Sequence, residues 1–126
     1  MNPQMQEWLC RKPPLAGVLA WGVRLADKTT VTQSFSEAFT EMAIENAWRC
    51  VADTLQVIRL NRFPEQRLRW IYEHGWLLCA ARSEGCFLGI FTTNQKDQVD
   101  WTGLESMIIE FQSLTIAREP AATAES

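Results

Sequence analysis

Side chains able to hold a metal, move a proton or attack a carbon are few and scattered in this chain. His74 is the single histidine. Cys10, Cys50, Cys79 and Cys86 form no C-x-x-C pair, so a zinc site would need almost all of them at irregular spacings. Three of the four sit in apolar stretches, where a free cysteine acts as a small hydrophobe, and the expectation is buried, reduced thiols. His74 stands beside Gly75 at an expected hairpin turn, which suits a turn histidine better than a general base. Gly17 and Gly22 have the glycine spacing of a phosphate loop, but Val23 and Arg24 follow where that loop needs Lys and Ser or Thr. No G-x-G-x-x-G and no G-x-S-x-G occurs. No two glutamates face each other in an apolar setting that would split their pKa values. The expectation is a protein that is not an enzyme and carries no metal or cofactor.

Residue types that suit a partner are better represented. Arg59, Arg62, Arg67 and Arg69 cluster with Trp70 and Tyr72. An RNA-binding sheet interleaves such charges with exposed aromatics. Against that stand twelve basic residues facing fifteen acidic ones, a formal charge of −3, and no RNP-like string. Nucleic acid is therefore not expected. An edge strand protected by charge and a protein interface both remain open, since Arg, Trp and Tyr are enriched at interfaces.

These residues need elements to hold them. With 126 residues, 47% apolar and 21% charged, the chain has ordinary globular composition and length for one domain, so disorder and low complexity are excluded. The longest apolar run, Leu15 to Val23, is nine residues, against the ~20 that span a membrane. No cleavage site follows it, and the expected location is the cytoplasm, without direct membrane insertion.

Pro3 to Cys10 suits a short helix with Met5, Trp8 and Leu9 on one side, ended by Pro13-Pro14. Gly17 to Leu25 reads as a strand covered on both faces, with Leu19, Trp21, Val23 and Leu25 opposite Val18, Ala20, Gly22 and Arg24. Asp27-Lys28 makes a turn into Thr29 to Phe35, a half-exposed strand. Ser36 is a candidate N-cap for a helix reaching about Leu60. Glu37, Glu41 and Glu45 lie at its start and Arg59 and Arg62 at its end, matching the helix dipole. Glu45–Arg49 and Arg49–Asp53 are spaced for ion pairs on its solvent side.

This helix carries two apolar seams. Ile44, Trp48, Val51, Leu55 and Ile58 form a bulky one. Phe39, Ala43, Ala47, Cys50, Thr54 and Val57 form a second, mostly small one beside it. Either both belong to one wide core face, or one docks on the sheet and the other on a second subunit. A turn at Asn61–Glu65 leads to three strands: Gln66–Glu73, with Leu68, Trp70 and Tyr72 opposite Arg67, Arg69 and Ile71; Trp76–Arg82; and Cys86–Thr92. Ser83-Glu84-Gly85 turns the chain between the last two. Asp97 or Asp100 caps a last helix with the stripe Trp101, Leu104, Met107 or Ile108, Phe111 and Leu114. The fold class is α+β, in three α/β/α layers, with a five-stranded antiparallel sheet in the order α-β-β-α-β-β-β-α. A single domain is expected over 1–116, with a flexible tail at 117–126.

The strand Leu15-Ala16-Gly17-Val18-Leu19-Ala20-Trp21-Gly22-Val23, the helix around Ala43-Ile44-Glu45-Asn46-Ala47, the strand Cys86-Phe87-Leu88-Gly89-Ile90-Phe91 and the segment Trp101-Thr102-Gly103-Leu104-Glu105-Ser106-Met107 together resemble the roadblock/LC7 family. The likeness runs from about Leu15 to Leu114 and departs at the first hairpin, where Asp27-Lys28 stands in place of the usual aspartate-glycine turn. The resemblance implies a non-enzymatic homodimer that scaffolds or regulates a small Ras-like GTPase. It implies pairing of the strand after the long helix with its twin, through Arg67, Leu68, Arg69, Trp70, Ile71 and Tyr72. It also implies packing of the long helices, for which the small seam offers Ala43, Ala47, Cys50 and Thr54. The alternative is a profilin- or PAS-like sensor of a small ligand. That would need a cavity between sheet and long helix, opened by glycines 17, 22 and 89 and lined by Trp21 and Trp48.

Overall fold

The alternating and apolar runs assemble into one antiparallel sheet whose centre is the most apolar of them. The computed structural model describes residues 3–60, 67–72, 75–82 and 85–114. In chain order the elements are α1 (Pro3–Cys10), β1 (Val18–Arg24), β2 (Thr30–Ser34), α2 (Glu41–Leu60), β3 (Arg67–Tyr72), β4 (Gly75–Ala81), β5 (Phe87–Thr93) and α3 (Trp101–Ser113), with a 3-10 turn at Lys96–Gln98. The sheet order is β2-β1-β5-β4-β3. Gln66, Glu73, His74, Arg62, the expected turns at 61–65 and 83–84 and the tail at 117–126 lie outside the described residues. So do the side chains of Ile58, Arg59 and Tyr72.

The sheet separates two cores. On one face α1 and α3 bury Met5, Leu9, Leu104, Met107, Ile108 and Phe111 against Val18, Trp21, Val23, Leu88 and Ile90. On the other, Ile44, Trp48, Val51 and Leu55 of α2 pack on Ala20, Leu77, Cys79, Phe87 and Phe91. Burying each such aliphatic side chain contributes about 1.5–3 kcal/mol, which is why α2, with polar residues on its far side, needs the sheet to be a helix at all.

Four sequence expectations need correction. The long helix begins at Glu41, not Ser36. Thr40 caps it, its Oγ1 accepting from Ala43 N at 3.2 Å, while Ser36 Oγ accepts from Ala38 N in a separate turn. That turn places the Phe39 ring 4.8 Å from Phe91. Second, the register of β1 against β5 shifts between Val18 and Ala20. The extra residue reverses the alternation there, so Val18 joins Trp21 on the α1/α3 face and Leu19 packs on the α2 side. Third, Arg49 donates to Asn46 Oδ1 at 2.6 Å rather than to Glu45 or Asp53, and Glu45 accepts from Thr30 Oγ1. Fourth, Cys10 and Cys50 are exposed, and only Cys79 and Cys86 are buried. At the last helix the choice falls on Asp100, which accepts from Gly103 N, while Asp97 lies in the 3-10 turn.

Candidate interaction surface

The rotation of α2 on the sheet is set by one side chain. Gly22 of β1 and Gly89 of β5 are cross-strand partners. Over them lies the indole of Trp48, fully buried and stacked on Phe91 at 5.5 Å. A Cβ on Gly89 would fall 2.3 Å from Trp48 Cζ3, and one on Gly22 2.9 Å from Trp48 Nε1. The indole N–H donates to Thr32 Oγ1 at 3.3 Å. The space that two glycines open is thus filled by the protein itself. Trp21 points to the other face of the sheet, among the residues under α1 and α3. Among the described residues, Trp21 and Trp48 belong to separate cores on opposite faces of the sheet and line no common cavity.

With Trp48 seated, the two seams part. The bulky one is the core face. Of the small one, Ala43, Cys50 and Thr54 are exposed, Phe39 and Ala47 half-buried, and Val57 is 57% exposed. At about 100° per residue the small seam is one flank of α2. The opposite flank, with Glu45, Ala52 and Gln56, faces the first hairpin: Glu45 binds Thr30, while Ala52 and Gln56 line a hollow with Arg24, Leu25 and Lys28. The small seam therefore faces β3.

Among the described residues, β3 is an edge strand, paired with β4 on one side only. Leu68 and Trp70 lie on its α2 face, half-buried against that core. Arg67, Arg69 and Ile71 lie on its α1/α3 face. Arg67 Nη1 forms a salt bridge with Glu105 Oε2 at 2.7 Å, and its Nε donates to Gln112 Oε1 at 3.1 Å. Arg69 lies over the Trp76 ring, and Ile71 is 66% exposed. Ala43, Ala47, Cys50 and Thr54 thus lie on the flank of α2 nearer the β3 side of the sheet, where Arg67–Tyr72 is the edge strand among the described residues. It is a surface of small and apolar groups next to an edge strand. Behind it, burial pushes the Cys79 thiol up, which keeps it protonated.

Several ties were not visible in the sequence. Arg82, at the end of β4, donates to the Phe111 and Leu114 carbonyls, placing a cation at the C-terminus of α3. Glu110 of α3 accepts from Trp8 Nε1 at 2.7 Å and from Lys12, tying α1 to α3. The Lys12 ammonium, then the Trp8 indole, hold the Glu110 carboxyl below the usual carboxylate range. Trp76 and Trp101 also pack together at a tilt of 34°, their ring centroids 5.0 Å apart. Only chain segments brought together by the fold make these contacts, so no local spacing announces them. Among the described residues, no group of three or more His, Cys, Asp or Glu is placed to hold a metal, and no helix is long and apolar enough to cross a membrane.

No family model matches the chain, and no curated protein matches it. Solved structures do. A roadblock/LC7 domain from Streptomyces avermitilis superposes on 88% of this chain and 92% of its own, with a TM-score of 0.51 and 12% identity. The chain has the roadblock/LC7 fold. MglC from Myxococcus xanthus matches over 90% of this chain and 98% of its own, at 18% identity and a TM-score of 0.47. Against the roadblock/LC7 fold the first hairpin is the informative departure. Lys28 takes φ 75°, the left-handed conformation a glycine would adopt without cost. Asp27 compensates by accepting from both the Thr29 hydroxyl and its N–H. Those bonds, the hydroxyl's first, lower the Asp27 pKa.

Proposed function

We propose that the chain is a homodimeric, non-enzymatic adaptor or regulator of a small Ras-like GTPase. In the dimer, β3 pairs with its twin, and the small seam of α2 packs on the partner's. The single observation that carries this is the juxtaposition of Ala43, Cys50 and Thr54, exposed on α2, with the unpaired edge of β3. An edge strand and a small-residue helix flank left bare in one copy are what a second copy covers without side-chain clash. A standard stable interface buries roughly 1,600 Å² in total. The fold and the sequence resemblance support a small Ras-like GTPase as the partner. The ligand-sensor reading loses its support with the filling of the Gly22–Gly89 space by Trp48.

Sedimentation of the protein and of Cys50→Glu tests the dimer. Cys50 is exposed, so the variant keeps its fold and melting behaviour but carries a charge into the proposed contact. The expected result is a dimer that becomes a monomer, with Gln56→Glu, on the other flank, still dimeric. A monomeric parent, or a Cys50→Glu protein that stays dimeric, would refute the helix contact. Arg69→Pro against Thr32→Pro separates the two edges: loss of the dimer is expected for the first and not for the second. Calorimetric titration with a small Ras-like GTPase, in its GDP- and GTP-analogue-bound forms, tests the regulatory half. Binding in at least one form is expected, and absence in both would leave a dimer without that role.

A further inference from the structure

On the α1/α3 face of the sheet, Trp76 is the centre of a cluster of cations and aromatic rings. The Arg69 guanidinium carbon lies 5.4 Å from its ring centroid and Lys96 Nζ 5.3 Å. The Trp101 ring packs against it at 5.0 Å, and Trp101 Nε1 donates to the Lys96 carbonyl at 2.9 Å, fixing the backbone that presents the lysine. Ile71, the cross-strand partner of Trp76, is exposed beside it. Both cations are exposed, and among the described residues neither has a carboxylate partner. Their neighbours differ: Arg67 is engaged by Glu105, Lys12 by Glu110, and Arg82 by two carbonyls. Asp97 shares the turn with Lys96 without forming an ion pair, and Asp100 is occupied by Gly103 N.

A cation held over an indole keeps its N–H donors turned outward. Arg69 and Lys96 thus stand as two cations without an ion-pair partner among the described residues, beside an exposed isoleucine. The complement is a pair of carboxylates flanking an apolar side chain. A nucleobase fits less well, because Trp76 already packs against Arg69, Lys96 and Trp101. We propose that Arg69, Trp76, Lys96, Trp101 and Ile71 form a docking surface for an acidic, leucine-bearing peptide segment of a partner protein. Arg69 and Ile71 stand on β3, the strand the proposed dimer pairs through, and their side chains lie on the α1/α3 face, opposite Leu68 and Trp70.

The test is fluorescence anisotropy of a labelled peptide of Glu-Glu-Leu repeats with the full chain, alongside the indole N–H resonances of the unmodified protein. Binding should shift the Trp76 and Trp101 indole signals and leave that of Trp48 in place. Arg69→Gln and Lys96→Gln should each weaken binding about threefold to fivefold, as an exposed charge pair does. The control Arg11→Gln, an exposed cation elsewhere, and the monomeric Cys50→Glu should bind as the parent does. Absence of binding would overturn the proposal. So would equal binding of Ser-Ser-Leu repeats, equal loss in Arg11→Gln, or tighter binding of single-stranded oligothymidine, which would indicate a nucleic-acid surface instead.

Discussion

Gly89→Ala is a one-methyl change that tests the central packing device of the fold. The added Cβ would sit 2.3 Å from Trp48 Cζ3, 2.6 Å from Cη2 and 3.2 Å from Cε3. Carbon atoms are comfortable at about 3.5–4.0 Å, so the indole must retreat by more than ~1 Å. It has little room to do so. Phe91 lies 5.5 Å away, Phe87 packs edge-on at 6.0 Å, and Thr32 holds the indole N–H. Overpacking of this kind costs about 1–3 kcal/mol, and this site belongs at the upper end. The smaller entropy of the unfolded alanine chain returns only about 0.4–1 kcal/mol. The expected net loss is about 2 kcal/mol, a large share of a stability of about 5–15 kcal/mol. Trp48→Leu leaves a cavity and is expected to cost about 3 kcal/mol on its own. In the double variant the methyl enters that cavity, so the combined loss should fall short of the sum by at least ~1 kcal/mol. Urea unfolding followed by far-ultraviolet circular dichroism gives all four corners of the cycle. Additive losses, or a Gly89→Ala protein within ~0.5 kcal/mol of the parent, would refute the seat of Trp48 on the glycine pair.

Three further expectations follow from local geometry. Thr40→Ala should cost about 1 kcal/mol in chemical denaturation and Ser36→Ala a few tenths, because only Thr40 caps α2; the reverse order would restore the longer helix. Lys28→Gly should raise the melting temperature slightly or leave it unchanged, since relief of the left-handed strain of about 1 kcal/mol is offset by the entropy of glycine in the unfolded chain; a clear loss would mean that Lys28 makes a contact worth more than its strain. Glu110 has a carboxyl pKa lowered in the folded state, so its contribution is present above the unfolded value and is lost as pH falls through the folded one. Stability of Glu110→Gln should therefore fall less steeply than the parent's on the acid side of pH 4.5, and a carboxyl resonance titrating at or above that value would contradict the Trp8–Lys12 clamp.

Strands and layers were legible because burial on two faces leaves its mark in composition: β1, β4 and β5 are near-continuous apolar runs. The alternation of β3 also placed Leu68 and Trp70 opposite Arg67 and Arg69 correctly. What the sequence hid was decided by competition or by distance. Ser36 and Thr40 are both good caps, and the helix starts at the second because the chain between them must lay Phe39 on Phe91. The bulge before Ala20 inserts a residue into a strand apolar on both faces, so the exchange of Val18 and Leu19 costs no apolar burial and leaves no pattern. Cys50 reads as buried in a wide apolar stripe and is exposed because α2 is turned by a contact elsewhere. The Trp76 cluster draws on β3, β4 and the turn before α3, which no window of sequence joins.

That turning of α2 links the core to the surface. Two seams of the helix compete for the sheet, the second carrying Val57 beside its small residues. The choice is made by shape. Gly22 and Gly89, paired across β1 and β5, leave a depression in the sheet that the indole of Trp48 fills. With Trp48 fixed, helical periodicity places Ile44, Val51 and Leu55 on the sheet and turns Ala43, Cys50 and Thr54 towards β3. The exposed flank of α2 is thus small and polar-tolerant because the large residues are already committed. An enlarged Gly89 should act at a distance as well as locally. Where Gly89→Ala shifts Trp48 without unfolding the chain, α2 must rotate or lift, and the accessibility of the Cys50 thiol to a labelling reagent should change with it.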